Sequence, residues 1–174
     1  MFTEKVMSIL IVSSVFFVSC NHSKQKIKEA QIIVTKEEKL QGHFVNKKLE
    51  SIDTILFDGK KVNESKIILI YTGYDCQSCV DKGYLILKII RSQNANQKVF
   101  IISSNANIGR DQERNEYYDF IYNDKRELLR QELKFVYTPV ILVLDKDNCI
   151  LQINFPETNS NEQKIVEQIN QNIF

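Results

Sequence analysis

Residues 67–80 read IILIYTGYDCQSCV, an unbroken apolar run followed closely by two cysteines. A short continuous apolar run is typical of a strand that is covered on both faces of its sheet. Cys76 and Cys79 then fall at the start of a predicted helix over residues 76–91. This stretch therefore predicts a central strand, a turn that carries a cysteine pair, and a well-buried helix.

The rest of the chain repeats this alternation of strands and helices. Residues 99–102 and 140–144 are further apolar runs, and residues 150–153 follow a polar turn and are expected to pair back antiparallel. Helices are predicted over residues 110–121 and 125–135, the second opening with Asp124 and Glu127 in a capping-box-like pattern. Ser160 and Gln163 are predicted to cap a last helix. The order favours an α/β domain with a mixed central sheet and helices on both faces.

A strand–turn–strand is expected ahead of the first central strand. Residues 52–57 are mostly apolar, Asp58-Gly59 follows them, and residues 60–62 can return as a second strand. An Asp-Gly pair between such runs is a strong hairpin signal. We therefore predict an N-terminal hairpin.

The first twenty residues are typical of a secretory signal. A charged start is followed by an apolar run over residues 6–18, which is too short to span a bilayer. Its end, Phe17-Val18-Ser19-Cys20, resembles a bacterial lipobox, which implies that Cys20 is acylated. The alternative is an ordinary secretory peptide with a chance cysteine. The predicted organisation is a signal peptide over residues 1–19, a basic lipid-anchored tether over 20–48, and one domain over 49–174.

Composition excludes several classes of protein. The chain has 23 basic and 22 acidic residues, a net charge of +1, which argues against nucleic-acid binding. Its four cysteines are too few for a disulfide scaffold. Cys149 is left over, and a lone cysteine there is more often a small packed hydrophobic residue than a redox partner.

The cysteine pair is the candidate site. A thiol at a helix N-terminus has a lowered pKa, and a two-residue spacer lets the second thiol resolve the mixed disulfide that the first one forms. Three alternatives remain: a zinc site, for which the chain offers few further ligands, a structural disulfide, and a degenerate redox site. Asp75, beside the first cysteine, is expected to raise the pKa of that thiol.

The whole pattern resembles the thioredoxin fold, and within it the membrane-tethered TlpA-type thiol–disulfide oxidoreductases. The resemblance covers residues 49–174 and depends on the cysteine pair after a strand and on Thr138-Pro139 before a later strand. It implies that Cys76 is the nucleophile, that Cys79 resolves, and that Pro139 is cis and lies against the pair. Thr138 would offer its backbone to an extended partner. The family's tryptophan and proline are replaced by Asp75 and Ser78, and Tyr74 can supply aromatic surface.

The resemblance implies a function outside the cytoplasm. The protein would be a lipid-anchored, periplasm-facing oxidoreductase, a reductant that exchanges disulfides with protein thiols. Its redox centre would be the Cys76–Cys79 disulfide, with no other cofactor and no metal. Its partners would be the bilayer through Cys20 and an inner-membrane electron donor; the abundance of Lys, Asn and Ile resembles Bacteroidetes sequences. The alternatives are a non-enzymatic thioredoxin-like binding module with a permanent disulfide and a copper-binding protein.

Overall fold

A computed structural model describes residues 41–104, 121–134 and 136–173. All the elements below belong to a unit over residues 44–174. The predicted signal peptide, the acylation site Cys20 and most of the tether lie outside the described residues, as does the predicted helix over residues 110–121 except for its last residue. Phe44 and Leu49 are buried in the unit, and Lys48 forms an isolated antiparallel bridge with Cys149.

Within the described residues, five strands form one mixed sheet, as predicted. They are β1 (Lys66–Tyr71), β2 (Lys98–Ser103), β3 (Ile121–Asn123), β4 (Val140–Leu144) and β5 (Ile150–Asn154), in the spatial order β3-β2-β1-β4-β5. The pairs β1–β2 and β2–β3 are parallel, whereas β1–β4 and β4–β5 are antiparallel. Every residue of β1 and β4 is buried, which explains their continuous apolar sequences.

Helices cover both faces of this sheet. After residue 44, the described helices are α1 (Ile52–Phe57), α2 (Gln77–Gln93), α3 (Leu128–Glu132) and α4 (Glu162–Ile173). On one face α2 packs against both α4 and β1, and the side chains of Leu69, Leu87 and Val166 share one apolar cluster. On the other face Phe57 of α1 meets Phe100 of β2 edge to face, with ring centroids 5.5 Å apart. The predicted α/β architecture, a mixed central sheet with helices on both faces, is therefore confirmed.

The predicted N-terminal hairpin is wrong, because residues Ile52–Phe57 form helix α1. Ile52 and Leu56, four residues apart, are both buried on its inner side. Asp58 and Gly59 have φ angles of +52° and +83° and end the helix, with the Gly59 N–H bonded to the Asp53 carbonyl. A hairpin turn and a helix C-terminus both need left-handed residues, so Asp-Gly suits either.

Two other predicted boundaries also differ. Residue 121, placed at a helix end by the sequence, begins the short strand β3, and the predicted helix over 125–135 is reduced to α3. The Asp124 carboxylate caps the start of α3 by accepting the N–H groups of Leu128 and Leu129 at 2.9 Å each. At α4 the Asn161 side chain, rather than Ser160, accepts a first-turn N–H, that of Lys164.

Candidate active site

The cysteine pair lies where the carboxyl end of β1 and the amino end of β4 meet. Because β4 runs antiparallel to β1, with Ile70 opposite Val140, the loops before α2 and before β4 lie at the same edge of the sheet. The first loop carries Cys76, and the second carries Thr138 and Pro139. The topology therefore brings together two sequence motifs that are some sixty residues apart.

Cys76 occupies the N-cap position of the 17-residue helix α2, and Cys79 lies in its first turn. The N–H groups of Cys79 and Val80 both donate to the Cys76 carbonyl at 3.0 Å, which closes the turn. Cys76 is exposed, Cys79 is half-buried, and neither thiol is bridged. A thiol here stands at the positive end of the helix dipole, where a thiolate is stabilised.

Hydrogen bonds from its neighbours lower the pKa of Cys76 from 9.0 to about 7. The largest contribution comes from the Cys79 thiol, followed by the Ser78 hydroxyl and the Cys79 backbone N–H. The Thr158 hydroxyl contributes in the same direction. Ser78 Oγ lies 3.1 Å from the Cys76 sulfur. Cys76 can therefore be a thiolate near neutral pH, which is the form that attacks a disulfide.

Asp75 was expected to offset part of the helix dipole, but the groups that chiefly set the pKa of Cys76 are Cys79, Ser78 and Thr158. The Asp75 carboxylate accepts the Thr72 N–H at 2.7 Å and the Thr138 hydroxyl at 2.8 Å. It thus bonds to backbone and hydroxyl donors and ties the cysteine loop to the loop before β4. The position that holds tryptophan in the resembled family holds a bridging carboxylate here.

The other predicted site residues lie beside this contact. The Thr138–Pro139 peptide is cis, as predicted, and Pro139 is buried while Thr138 is half-buried. Tyr74 lies two residues before Cys76 and is 92% exposed. The two loops therefore present an exposed aromatic ring and a half-buried threonine next to the exposed thiol.

Sequence reasoning missed a third loop at this site. Thr158, between β5 and α4, places its hydroxyl 3.5 Å from the Cys79 sulfur, 3.9 Å from the Cys76 sulfur and 3.1 Å from Ser78 Oγ. Lys82, one turn along α2 from Cys79, donates to the Thr158 carbonyl at 2.7 Å. A threonine in a polar loop carries no local signal for such a role; only the folded chain brings it to the cysteines.

Cys149 lies away from the pair, in the turn between β4 and β5. Burial, together with the negative charges of Asp145 and Asp147, raises the pKa of its thiol. Among the described residues no group of three or more histidine, cysteine or acidic side chains could hold a metal ion. The described helices include none with the length and apolar character that a bilayer crossing needs.

Comparison with known proteins identifies the fold. No family model matches the chain, and no curated protein matches it. Among solved structures, a secreted disulfide oxidoreductase of Mycobacterium tuberculosis homologous to E. coli DsbE is similar, with a TM-score of 0.51 and 13% identity over 64% of this chain and 84% of that one. A thiol:disulfide interchange protein DsbE of Chlorobium tepidum gives a TM-score of 0.54 at 11% identity, over 66% of this chain and 83% of that one.

A thioredoxin-like protein of Porphyromonas gingivalis is also similar, with a TM-score of 0.50 and 14% identity over 74% of this chain and 94% of that one. Identities this low show the shared fold alone. This chain thus has a thioredoxin-like fold, and two of these three structures are described as a disulfide oxidoreductase and a thiol:disulfide interchange protein.

Proposed function

We propose that this protein is a thiol–disulfide oxidoreductase that exchanges disulfides with protein substrates through Cys76 and Cys79. The observation that carries the proposal is an exposed Cys76 thiol at the N-terminus of α2, with its pKa lowered to about 7 and a second thiol three residues on. A purely structural bridge needs neither an exposed nor an acidic thiol. The similarity to DsbE-type proteins supports the same chemistry.

The exchange proceeds in two balanced steps. The Cys76 thiolate attacks one sulfur of a substrate disulfide, so that a mixed disulfide forms, the substrate bond breaks, and the leaving sulfur departs as a thiolate. Cys79 then loses its proton and attacks the Cys76 sulfur, which releases the second substrate sulfur and leaves Cys76 and Cys79 bridged. Two electrons pass to the substrate. We propose this reducing direction, with an inner-membrane thiol donor that restores the dithiol.

The substrate segment is proposed to lie across the loop before β4. There Thr138, half-buried beside Asp75, has backbone groups next to the cis peptide, and Tyr74 offers an exposed ring. An extended segment that reaches Cys76 would pass both residues. Substrate recognition by backbone pairing and apolar contact suits partners of varied sequence.

The proposed location is outside the cytoplasm, with the chain anchored to a bacterial membrane by acylated Cys20. The lipobox-like sequence before Cys20 supports this, and one of the similar structures is described as secreted. Replacing Cys20 with Ser should release the protein from the membrane fraction and abolish its labelling by a fatty-acid analogue. Membrane association that survives Cys20→Ser would contradict the anchor.

A redox titration tests the catalytic proposal. The full-length protein in detergent is equilibrated in glutathione buffers, alkylated, and its modified thiols are counted by mass spectrometry. We expect a reversible two-electron transition between about −120 and −300 mV that Cys76→Ser abolishes and Cys149→Ser leaves unchanged. A value toward the negative end would support a reductant.

Partner trapping distinguishes the alternative, a non-enzymatic binding module with a permanent disulfide, which the exposed ring of Tyr74 also fits. In Cys79→Ser the mixed disulfide at Cys76 cannot be resolved, so an exchange enzyme should accumulate covalent adducts that dithiothreitol releases. The Cys76→Ser/Cys79→Ser variant is the matched control. A pair that stays bridged far below −300 mV, with no adducts, would favour the binding module.

A further inference from the structure

The loop between β5 and α4 contacts both thiols of the cysteine pair through one side chain. Thr158 Oγ1 is 3.5 Å from the sulfur of Cys79 and 3.1 Å from the hydroxyl oxygen of Ser78, which is itself 3.1 Å from the sulfur of Cys76. The direct distance from Thr158 Oγ1 to the Cys76 sulfur is longer, 3.9 Å. The two sulfurs are therefore linked through two hydroxyl groups in series.

Helix α2 itself holds this loop in place. The Lys82 ammonium group donates to the backbone carbonyls of Thr158 and Ser160 at 2.7 Å each and pairs with the Glu162 carboxylate at 3.1 Å. The Lys82 side chain is only 13% exposed, so the loop is held by a largely buried donor. The position of the Thr158 hydroxyl is thus fixed by the same helix that carries the cysteines.

Counting protons gives the chain a direction. A Cys76 thiolate can only accept, so the single Ser78 hydroxyl proton is donated to it. The Ser78 oxygen can then accept the Thr158 hydroxyl proton. The bonds run from Thr158 through Ser78 to the Cys76 thiolate, and the Cys79 thiol donates to the same thiolate.

We propose that Thr158 is a positioning residue that assigns unequal roles to the two thiols, because its hydroxyl orients the Ser78 hydroxyl so that Ser78 donates to the Cys76 thiolate. This inference rests on the proposed function, since unequal thiols matter only to a pair that exchanges disulfides. Which thiol attacks and which resolves would then depend in part on Thr158, a residue about eighty positions away in sequence.

The charged groups around the pair do not replace this chain. The Asp75 carboxylate is engaged by donors of its own loop and of Thr138, and Asp81 accepts from the Gln77 amide at 2.8 Å. Lys82 and Glu162 pair with each other. Glu157, which adjoins Thr158, is exposed, so its field at the thiols is screened by water.

The test is the pH dependence of alkylation in the reduced full-length protein, with Cys76 and Cys79 followed separately by peptide mapping. Thr158→Val keeps the side-chain shape and removes the hydroxyl, so the midpoint for Cys76 should rise by about 0.5 to 1 pH unit, and the Cys76:Cys79 labelling ratio at pH 7 should fall about threefold. Thr158→Ser should restore both values. Thr54→Val, an exposed threonine of α1, is the control and should change neither.

A double variant separates the chain from simple packing. Ser78→Ala breaks the same chain at its other link, so Thr158→Val/Ser78→Ala should shift the Cys76 midpoint no further than the larger single shift. Additive shifts, or an unchanged midpoint in Thr158→Val, would overturn the proposal. Alkylation needs no substrate, so the two proposals can fail separately. If the protein exchanges disulfides but Thr158→Val leaves the pH midpoint of Cys76 alkylation unchanged, only the role of Thr158 is refuted. If the midpoint shifts but the protein exchanges no disulfides, only the proposed function is refuted.

Discussion

The two ends of β1 hold polar groups in opposite ways. At the lysine end, formed by Lys66, Asn148 and Asp53, the Lys66 side chain is completely buried and its ammonium group donates to three oxygens at 2.8–2.9 Å. Asn148 in turn donates to Asp53 at 3.0 Å. At the thiol end, formed by Cys76, Thr138 and Thr158, the Cys76 sulfur is exposed. The hydroxyl oxygens of Ser78 and Thr158 lie 3.1 and 3.9 Å from it.

This difference separates a stabilising network from a reactive one. Burial lowers the pKa of Lys66, because desolvation disfavours the ammonium form, and the short bonds to three acceptors offset that cost. The Cys76 thiolate keeps an open side toward solvent, where a substrate disulfide can approach. Substitutions at the lysine end should therefore change stability, and substitutions at the thiol end should change reactivity.

The largest expected effect is on folding. Lys66→Met keeps the chain length but leaves the acceptors of Asn148, Val62 and Glu64 without their buried donor, so the free energy of unfolding should fall by about 3 kcal/mol. Urea denaturation measures this, with Lys60→Met, an exposed lysine, as the control. At temperatures where the variant is folded, the pH midpoint of Cys76 alkylation should not change. A changed midpoint would mean that the lysine end and the thiol end are not independent.

The second prediction compares one cysteine at each end of the sheet. Cys76 has a pKa of about 7, whereas burial and two neighbouring acids raise the pKa of Cys149 above 9.0. Since the thiolate reacts and its fraction rises with pH through the pKa, Cys76 should carry at least about fifty times more thiolate than Cys149 at pH 7. Alkylation rates mapped by peptide should show this preference, and it should shrink as the pH approaches 9. Equal rates at pH 7 would contradict it.

The smallest expected effect concerns the tie between the two loops of the thiol end. Asp75→Ala removes the acceptor for the Thr72 N–H and the Thr138 hydroxyl, and we expect it to lower the free energy of unfolding by about 1 kcal/mol because water can replace part of each bond. Thr138→Val removes one of the two bonds and should cost less. A loss as large as that of Lys66→Met would mean that the thiol end is also a main source of stability.

The sequence predicted the central strands and the place of the cysteines well, because those features are local. The apolar runs of β1 and β4 are unbroken, since both faces of these strands are covered. Cys76 directly precedes a long helix, so its N-cap position follows from the helix start. The pairing of the cysteine loop with Thr138 came from the family resemblance, and the antiparallel register of β1 and β4 places the two together.

The missed features depend on tertiary contacts or on ambiguous local signals. Asp58-Gly59 ends a helix rather than turning a hairpin, and only the packing of Ile52 and Leu56 decides between the two. β3 has three residues, too few for an alternating pattern to identify it. Thr158 reaches the cysteines because Lys82 holds its loop, a contact between residues 76 positions apart.

The loop that carries Thr158 leads directly into α4, so the docking of the last helix and the acidity of Cys76 are thermodynamically linked. If α4 detaches and takes Thr158 with it, the pKa of Cys76 moves back toward 9.0, and the thiolate loses stability that it has only in the docked form. Docking should therefore become more favourable as the pH rises from about 7 to about 8, and this advantage should vanish when the thiol is protonated. Amide hydrogen exchange along Glu162–Ile173, corrected for its intrinsic pH dependence, would then report the charge on a sulfur atom in a different helix.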